Sequence, residues 1–202
     1  MRILVWGAAG SVGSRVVDEA TARGHSVTAV SRSGLGHLRG DASDPEDVAR
    51  LSAGHDVVIS ATRPRDGSEG ELVDTAKALL TGLRASGVRL LLVGGAASLL
   101  VPGGEVTLMD SPDFPETLLP IARACAAQYE LVRSADALDW TYVSPPALLE
   151  PGTRTGQYRK GYDHLVTSAT GDSSISVEDF AVALVDEAEQ AQHVKQRFTV
   201  GY

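Results

Sequence analysis

The chain is 202 residues long, with 43% apolar and 22% charged residues, a balance that fits one globular domain. A chain of this length buries roughly 70% of the surface its unfolded form exposes, enough for a real core, and the near-average composition excludes disordered and collagen-like classes. Acids outnumber bases 26 to 18 and the net charge is −8, so neither nucleic acid nor an anionic membrane surface is expected as a partner.

Short apolar runs alternate with helical patterns along the chain. Ile3 to Trp6 reads as a buried strand, and Ser11 to about Arg23 as a helix that Gly24 closes. Ser26 to Val30 is the next strand. Asp44-Pro45-Glu46 offers an N-cap, a proline at N1 and an acid in the first turn, and starts a short helix ending near Ala53. Asp56 to Ser60 is a strand, Glu69 to about Ser86 a helix, and Arg89 to Val93 a strand. A Gly- and Pro-rich loop runs from Gly94 to about Pro115. Glu116 to Leu138 is the longest helical pattern, followed by a strand from Trp140 to Ser144. A second loop-rich stretch covers Glu150 to Ser174, before a helix from Glu178 to Gln190 and a strand from Arg197 to Val200. This alternation predicts an α/β fold: a doubly wound parallel sheet covered by helices on both faces, in one domain over residues 1–202. The loops near 94–115 and 145–174 follow strands, where such sheets bind ligands.

Gly7-Ala8-Ala9-Gly10-Ser11-Val12-Gly13 joins the first strand to the first helix. A dinucleotide loop needs Gly7 for a tight turn, Gly10 for close approach to a pyrophosphate, and Gly13 for packing of helix on sheet. The helix N-terminus then offers free N–H groups to phosphate. The second strand ends Val30-Ser31-Arg32-Ser33, without the acid that binds a ribose 2′-OH. Arg32 presents a planar fork suited to a 2′-phosphate, with Ser31, Ser33 and Arg39 nearby, so NADP(H) is expected in preference to NAD(H). Asp41 either meets the adenine amino group or caps the next helix, a role for which Asp44 is better placed.

Together Gly7–Gly13, Ser31-Arg32, Gly40-Asp41-Ala42-Ser43-Asp44, Val93-Gly94-Gly95 and Leu138 to Pro145 resemble the atypical short-chain dehydrogenase/reductases. Within them the chain is similar to the NmrA-like NAD(P)H-binding group, and most to its NADH-flavin-reductase-like subgroup, to which flavin reductase/biliverdin-IXβ reductase is related. Glu150 to Gly156 and Gln196 to Tyr202 share the resemblance, which thus spans nearly the whole chain. It implies a Rossmann fold with NADP(H) across the carboxyl ends of the strands. Gly7, Ala9, Gly10, Ser11 and Val12 would cradle the pyrophosphate, and Arg32 would hold the 2′-phosphate. Asp41 and Ala42 would flank adenine, and Ser60, Ala61 and Thr62 would line its ribose. Gly94 and Gly95 would lie near the nicotinamide ribose, with Ser144, Pro145 and Pro146 beside the nicotinamide.

Many reductases of the wider family use a Tyr-x-x-x-Lys pair for proton transfer. Lysine occurs here only at Lys77, Lys160 and Lys195, none in register with such a pair. Tyr129 to Arg133 matches it partly, but arginine does not copy lysine's compact contact. Tyr129 also falls deep in its helix, and reads as a packing residue. Ser98, after a strand, is a candidate to donate a hydrogen bond to a substrate, the alternative being a plain loop serine. The five histidines are scattered and no metal site is expected. Cys125 cannot form an internal disulfide; it reads as a buried, inert thiol in a reducing compartment, the cytoplasm. No signal peptide or membrane-spanning run is expected.

Without a proton relay, alcohol dehydrogenation, epimerisation and dehydration are disfavoured. Hydride transfer between stacked flat rings is not, because proximity and the cofactor supply the chemistry. The expected partner is a small-molecule acceptor, a flavin or a similar flat ring, in a cleft walled by Pro112, Phe114, Pro115, Tyr158 and Tyr162. The rival readings are a non-catalytic NADP(H) sensor of the NmrA-like type and a reductase or isomerase of a specialised metabolite.

Overall fold

Ile3, Leu4, Val5 and Trp6 are all buried, and they form the strand around which the sheet is built. The computed structural model describes residues 1–65 and 67–202. In chain order its elements are β1 (Arg2–Trp6), α1 (Ser11–Ala22), β2 (Ser26–Ser31), β3 (Leu38–Arg39), α2 (Pro45–Ser52), β4 (Val57–Ser60), α3 (Glu71–Leu83) and β5 (Arg89–Val93). They continue with α4 (Leu119–Arg133), β6 (Trp140–Ser144), β7 (Leu148–Glu150), β8 (Arg159–Gly161), β9 (Ser174–Ser176), α5 (Val177–Gln190) and β10 (Gln196–Gly201).

The sheet order is β3-β2-β1-β4-β5-β6-β10-β8. Every pairing in it is parallel except that of β8 with β10. Helices cover both faces, which explains the unbroken apolar runs: alternate residues enter different cores. Ile3, Val5, Ile59, Leu91 and Val143 pack under α1 and α5 with Phe180 and Phe198. Leu4, Trp6, Val58, Leu92 and Tyr142 pack on the other side, with Val48 of α2, Leu79 of α3 and Val132 of α4. This is the expected Rossmann-like α/β fold. Among the described residues no helix is long and apolar enough to cross a membrane.

Five elements depart from the sequence reading; two of them, the short strands β7 and β9, pair in parallel as a separate two-stranded sheet. The helix expected over 116–138 opens as a 3-10 turn at Glu116–Leu118, becomes α4 at Leu119, and stops at Arg133. Pro120 fits only the start of a helix, where a missing N–H costs nothing. At the other end the Trp140 indole donates to the Ala135 carbonyl at 3.1 Å and turns the chain into β6. β3 is two residues long and carries no signal of its own. The stretch expected to be a loop over 150–174 contains β8, whose Arg159-Lys160-Gly161 is an exposed edge strand paired with β10.

That same stretch is tied down at its start. Arg154 donates to Glu19 of α1 through Nε at 2.6 Å and Nη2 at 2.8 Å. Thr155 and Gly156 donate backbone N–H groups to Asp179 of α5 at 2.8 Å and 2.7 Å. Arg154, helped by Arg23, holds the Glu19 carboxyl at about 2 against an ordinary 4.5, despite burial. A carboxyl depressed in the fold stabilises it above the unfolded value, and that contribution is lost as pH falls through the folded value. Glu19→Gln is therefore expected to lower stability by about 1–3 kcal/mol at pH 7. In urea melts repeated at falling pH, its deficit against the parent should shrink below about 4.5 and vanish near 2.

Candidate dinucleotide site

The strand order reverses at β1, whose neighbours are β2 and β4, so the turns after β1 and β4 leave the sheet side by side. Gly7 follows β1 with φ +78°, and a Cβ there would lie 2.5 Å from the Ala61 carbonyl oxygen beyond β4. A Cβ on Gly13 would lie 2.2 Å from the Gly7 carbonyl oxygen. Only glycine permits these approaches, which set the start of α1 against the switch point. Asp44 caps α2 and Ser176 caps α5, each with acids in the first turn; α1 has neither a side-chain cap nor an acid there. Its first N–H groups and its positive dipole end are left for an anion.

Two lobes of one trough open at these carboxyl ends. The outer lobe, about 750 Å³, is lined by Gly7, Ala9, Gly10, Arg32, Asp41, Ala42, Ala61 and Thr62. The inner lobe, about 550 Å³, is lined by Gly10, Ser11, Val12, Ala61, Thr62, Gly94, Gly95 and Pro145. Gly10, Ala61 and Thr62 belong to both and form the saddle between them. The glycine loop, Arg32, Asp41 and Ala42, Gly94 and Gly95, and Pro145 thus meet in one trough. Asp41 is not the cap of α2: Asp44 accepts from the Glu46 N–H at 2.9 Å. The Asp41 carboxylate instead accepts from the Ser43 hydroxyl at 2.7 Å and N–H at 2.9 Å, which lowers its pKa.

Several expectations need correction. Ser60 is buried beneath the trough and touches the Thr62 hydroxyl at 3.2 Å, so it supports the wall without lining it. Gly13, grouped with the cofactor-binding residues by its place in the loop, lies behind the wall and serves only the packing of helix on sheet that its spacing implied. Ser98 stands outside the inner lobe, where Arg197 donates to its hydroxyl at 3.1 Å and its carbonyl at 3.3 Å. It is an anchor for the loop after β5, with Asp163 accepting from the same guanidinium at 2.5 Å. Of the expected aromatic walls only Phe114 lines the lobe. Tyr158 donates to Asp186 at 2.5 Å, and the Tyr162 ring lies 5.9 Å from His193, both away from the trough. Of the loop expected over 145–174, residues 145–150 line the lobe. Arg39 sits on β3 outside the trough.

Tyr129 packs as expected, its ring 4.9 Å from Tyr142 and 4.4 Å beneath the Arg197 guanidinium. Tyr142 is fully buried behind Gly94, donating to the Cys125 carbonyl at 3.0 Å or Gln128 at 3.2 Å. Burial pushes its phenol well above the usual range, so it cannot act as an acid near neutrality. Cys125 is half-buried and lines the inner lobe. Desolvation raises its thiol to about 11, which keeps it protonated and unreactive at neutral pH. Among the described residues lining the inner lobe, the only titratable side chains are Arg63, Cys125 and Glu150. The remaining walls are mostly apolar, including Leu108, Phe114, Leu118, Ile121 and Leu149.

The sequence reading missed Arg63 and Arg65, which line the outer lobe just after β4. Two arginines directly beyond a buried apolar run were a usable signal. Glu71, Asp74 and Gln128 were not legible, because helix residues reach the trough only through packing.

A doubly wound sheet with an uncapped glycine-loop helix at its switch point, opening on one continuous trough, defines a dinucleotide-binding, oxidoreductase-like fold. The chain belongs to the NAD(P)H-binding family, whose sequence profile matches residues 7–191. It is similar over its full length to three solved structures. A provisionally assigned exported protein of Burkholderia pseudomallei is 41% identical, with complete coverage of both chains and a TM-score of 0.91. A provisionally assigned epimerase of Bacteroides thetaiotaomicron is 39% identical over 96% of that chain, with a TM-score of 0.90. A provisionally assigned NADH-flavin reductase of Streptococcus pneumoniae is 34% identical over 99% of that chain, with a TM-score of 0.91.

A Cβ at Gly94 would fall 2.0 Å from the Tyr142 ring, which is locked in the core. Gly94→Ala is expected to cost about 1–3 kcal/mol through overpacking, read as a lower urea midpoint. It should also weaken dinucleotide binding, because the inner wall must shift.

Proposed function

We propose that the chain is an NADPH-preferring reductase that passes a hydride to a flat acceptor, a flavin or a ring of similar shape. The observation that carries this reading is the pairing of a glycine cradle with an adjoining, mostly apolar lobe in which no tyrosine–lysine pair is found among the described lining residues. The residues fit the cofactor. Gly7 and Gly10 leave no Cβ between the backbone and a pyrophosphate, and the free N–H groups of Ser11 and Val12 would receive its charge. Arg32 would hold a 2′-phosphate, and Asp41 and Ala42 would flank adenine.

A bound NADPH supplies the hydride. The chain's own residues orient and exclude water. Gly94 and Gly95 keep the floor of the inner lobe low, and Leu108, Phe114, Leu118 and Leu149 offer apolar surface to a flat ring. Proximity and alignment then carry the acceleration. Cys125 and the buried Tyr142 do not release a proton near neutral pH, so the proton comes from solvent, directly or by way of Glu150, which lines the lobe. The reductase assignment of the Streptococcus pneumoniae relative supports the reading. Epimerisation at an alcohol carbon by a tyrosine–lysine pair is not supported, since neither residue type is among the described residues lining the lobe. The half-buried single thiol favours the cytoplasm as the working compartment.

Two measurements test this. NADPH oxidation should accelerate on adding riboflavin, FMN or FAD; tight NADPH binding with no turnover of flavins, quinones or enones would instead establish a sensor. Arg32→Ala should weaken NADPH by about 10- to 100-fold while NADH changes little, since a charged hydrogen-bonded contact of this kind contributes roughly 1.5–3 kcal/mol. Equal weakening of both nucleotides would refute the assignment of Arg32.

A further inference from the structure

The outer lobe is not a basic pocket. Arg32, Arg63 and Arg65 share its lining with Asp41, Glu71 and Asp74. Arg32 already has a partner there: its Nη1 lies 3.6 Å from Glu71 Oε2. The two side chains are 52% and 47% exposed, so burial locks neither in place. An exposed pair of this kind is weak, and a phosphate can take the arginine from it.

Glu71 opens α3, whose backbone is fixed by packing on α2 and α4. Its carboxylate therefore stays within reach of whatever Arg32 holds. Toward a phosphate it is a like charge at short range. Toward an unphosphorylated ribose it is a hydrogen-bond acceptor, the service that an acid at the end of the second strand gives in NAD-binding folds. β2 ends Val30-Ser31-Arg32-Ser33 and has no such acid. Glu71 brings one beside Arg32 from a different strand–helix unit.

We propose that Glu71 is the specificity-determining counterpart of Arg32: it accepts the ribose hydroxyls of NAD(H) and opposes the 2′-phosphate of NADP(H). The pair lets one site take both dinucleotides and holds the preference for NADP(H) below what Arg32 alone would give. This inference rests on the proposed role of Arg32.

Glu71→Gln keeps the size and hydrogen-bonding capacity of the side chain and removes its charge. NADPH and NADH are titrated into the full chain without acceptor, by calorimetry or by quenching of tryptophan fluorescence. The NADPH affinity of Glu71→Gln should rise, so that the ratio of the NADH to the NADPH dissociation constant grows about tenfold. The gain should shrink as salt is raised from about 50 mM to about 500 mM, as expected for partly exposed charges. A ratio unchanged from the parent overturns the proposal. Arg32→Ala, measured alongside, separates the two failures. If it lowers the ratio while Glu71→Gln does not, Arg32 keeps its role and Glu71 loses its own. If it leaves the ratio unchanged, both fall.

Discussion

The site depends on how closely three stretches of backbone approach at the switch point of the sheet. Gly7 stands with φ +78° and no room for a Cβ beside the Ala61 carbonyl, and Gly13 in turn has none beside the Gly7 carbonyl. This contact sets the first turn of α1 directly against the carboxyl ends of β1 and β4. The saddle at Gly10, Ala61 and Thr62 follows, and so does the continuity of the two lobes. A side chain at either glycine would push α1 away and separate the phosphate-facing N–H groups from both lobes.

The outer half of the site was legible from the chain because local rules govern it. The spacing of Gly7, Gly10 and Gly13, the end of β2 at Arg32, and the cap at Asp44 are short-range signals with one physical meaning each. The inner half was not legible to the same degree. Ser98 follows a strand and has a hydroxyl, which made it a candidate. Its use was decided by Arg197, a residue distant in sequence that captures the hydroxyl. Tyr158 and Tyr162 lie in a polar, loop-like stretch. Two acids of the α1–α5 layer, Glu19 and Asp179, pull the start of that stretch onto the helices and away from the trough. Glu71 has the helix pattern of any surface acid; only the packing of α3 on α2 and α4 gives it Arg32 as a neighbour.

Charge is handled locally throughout. An acidic chain that binds a polyanion must meet its charge with a few well-placed groups, and arginine forks with an uncapped helix start suffice. The inner lobe carries little charge: among its described lining residues only Arg63 and Glu150 are charged. Burial holds the Cys125 thiol, and the Tyr142 phenol behind the wall, in their neutral forms near pH 7. Arg63 belongs to both lobes and marks where the polar half of the trough gives way to the apolar half.

The Arg197 clamp on Ser98 makes the two halves of the trough depend on different parts of the chain. The glycine turn is made by contacts between neighbouring strand–helix units near the start of the chain. The wall of the inner lobe is held by a contact spanning 99 residues, from the loop after β5 to the last strand. The glycine turn needs only the units of β1, α1 and β4, whereas the inner lobe is walled in only when β10 lies between β6 and β8. A change that loosens the last strand would therefore reach the inner lobe through Arg197 while leaving the glycine turn in place.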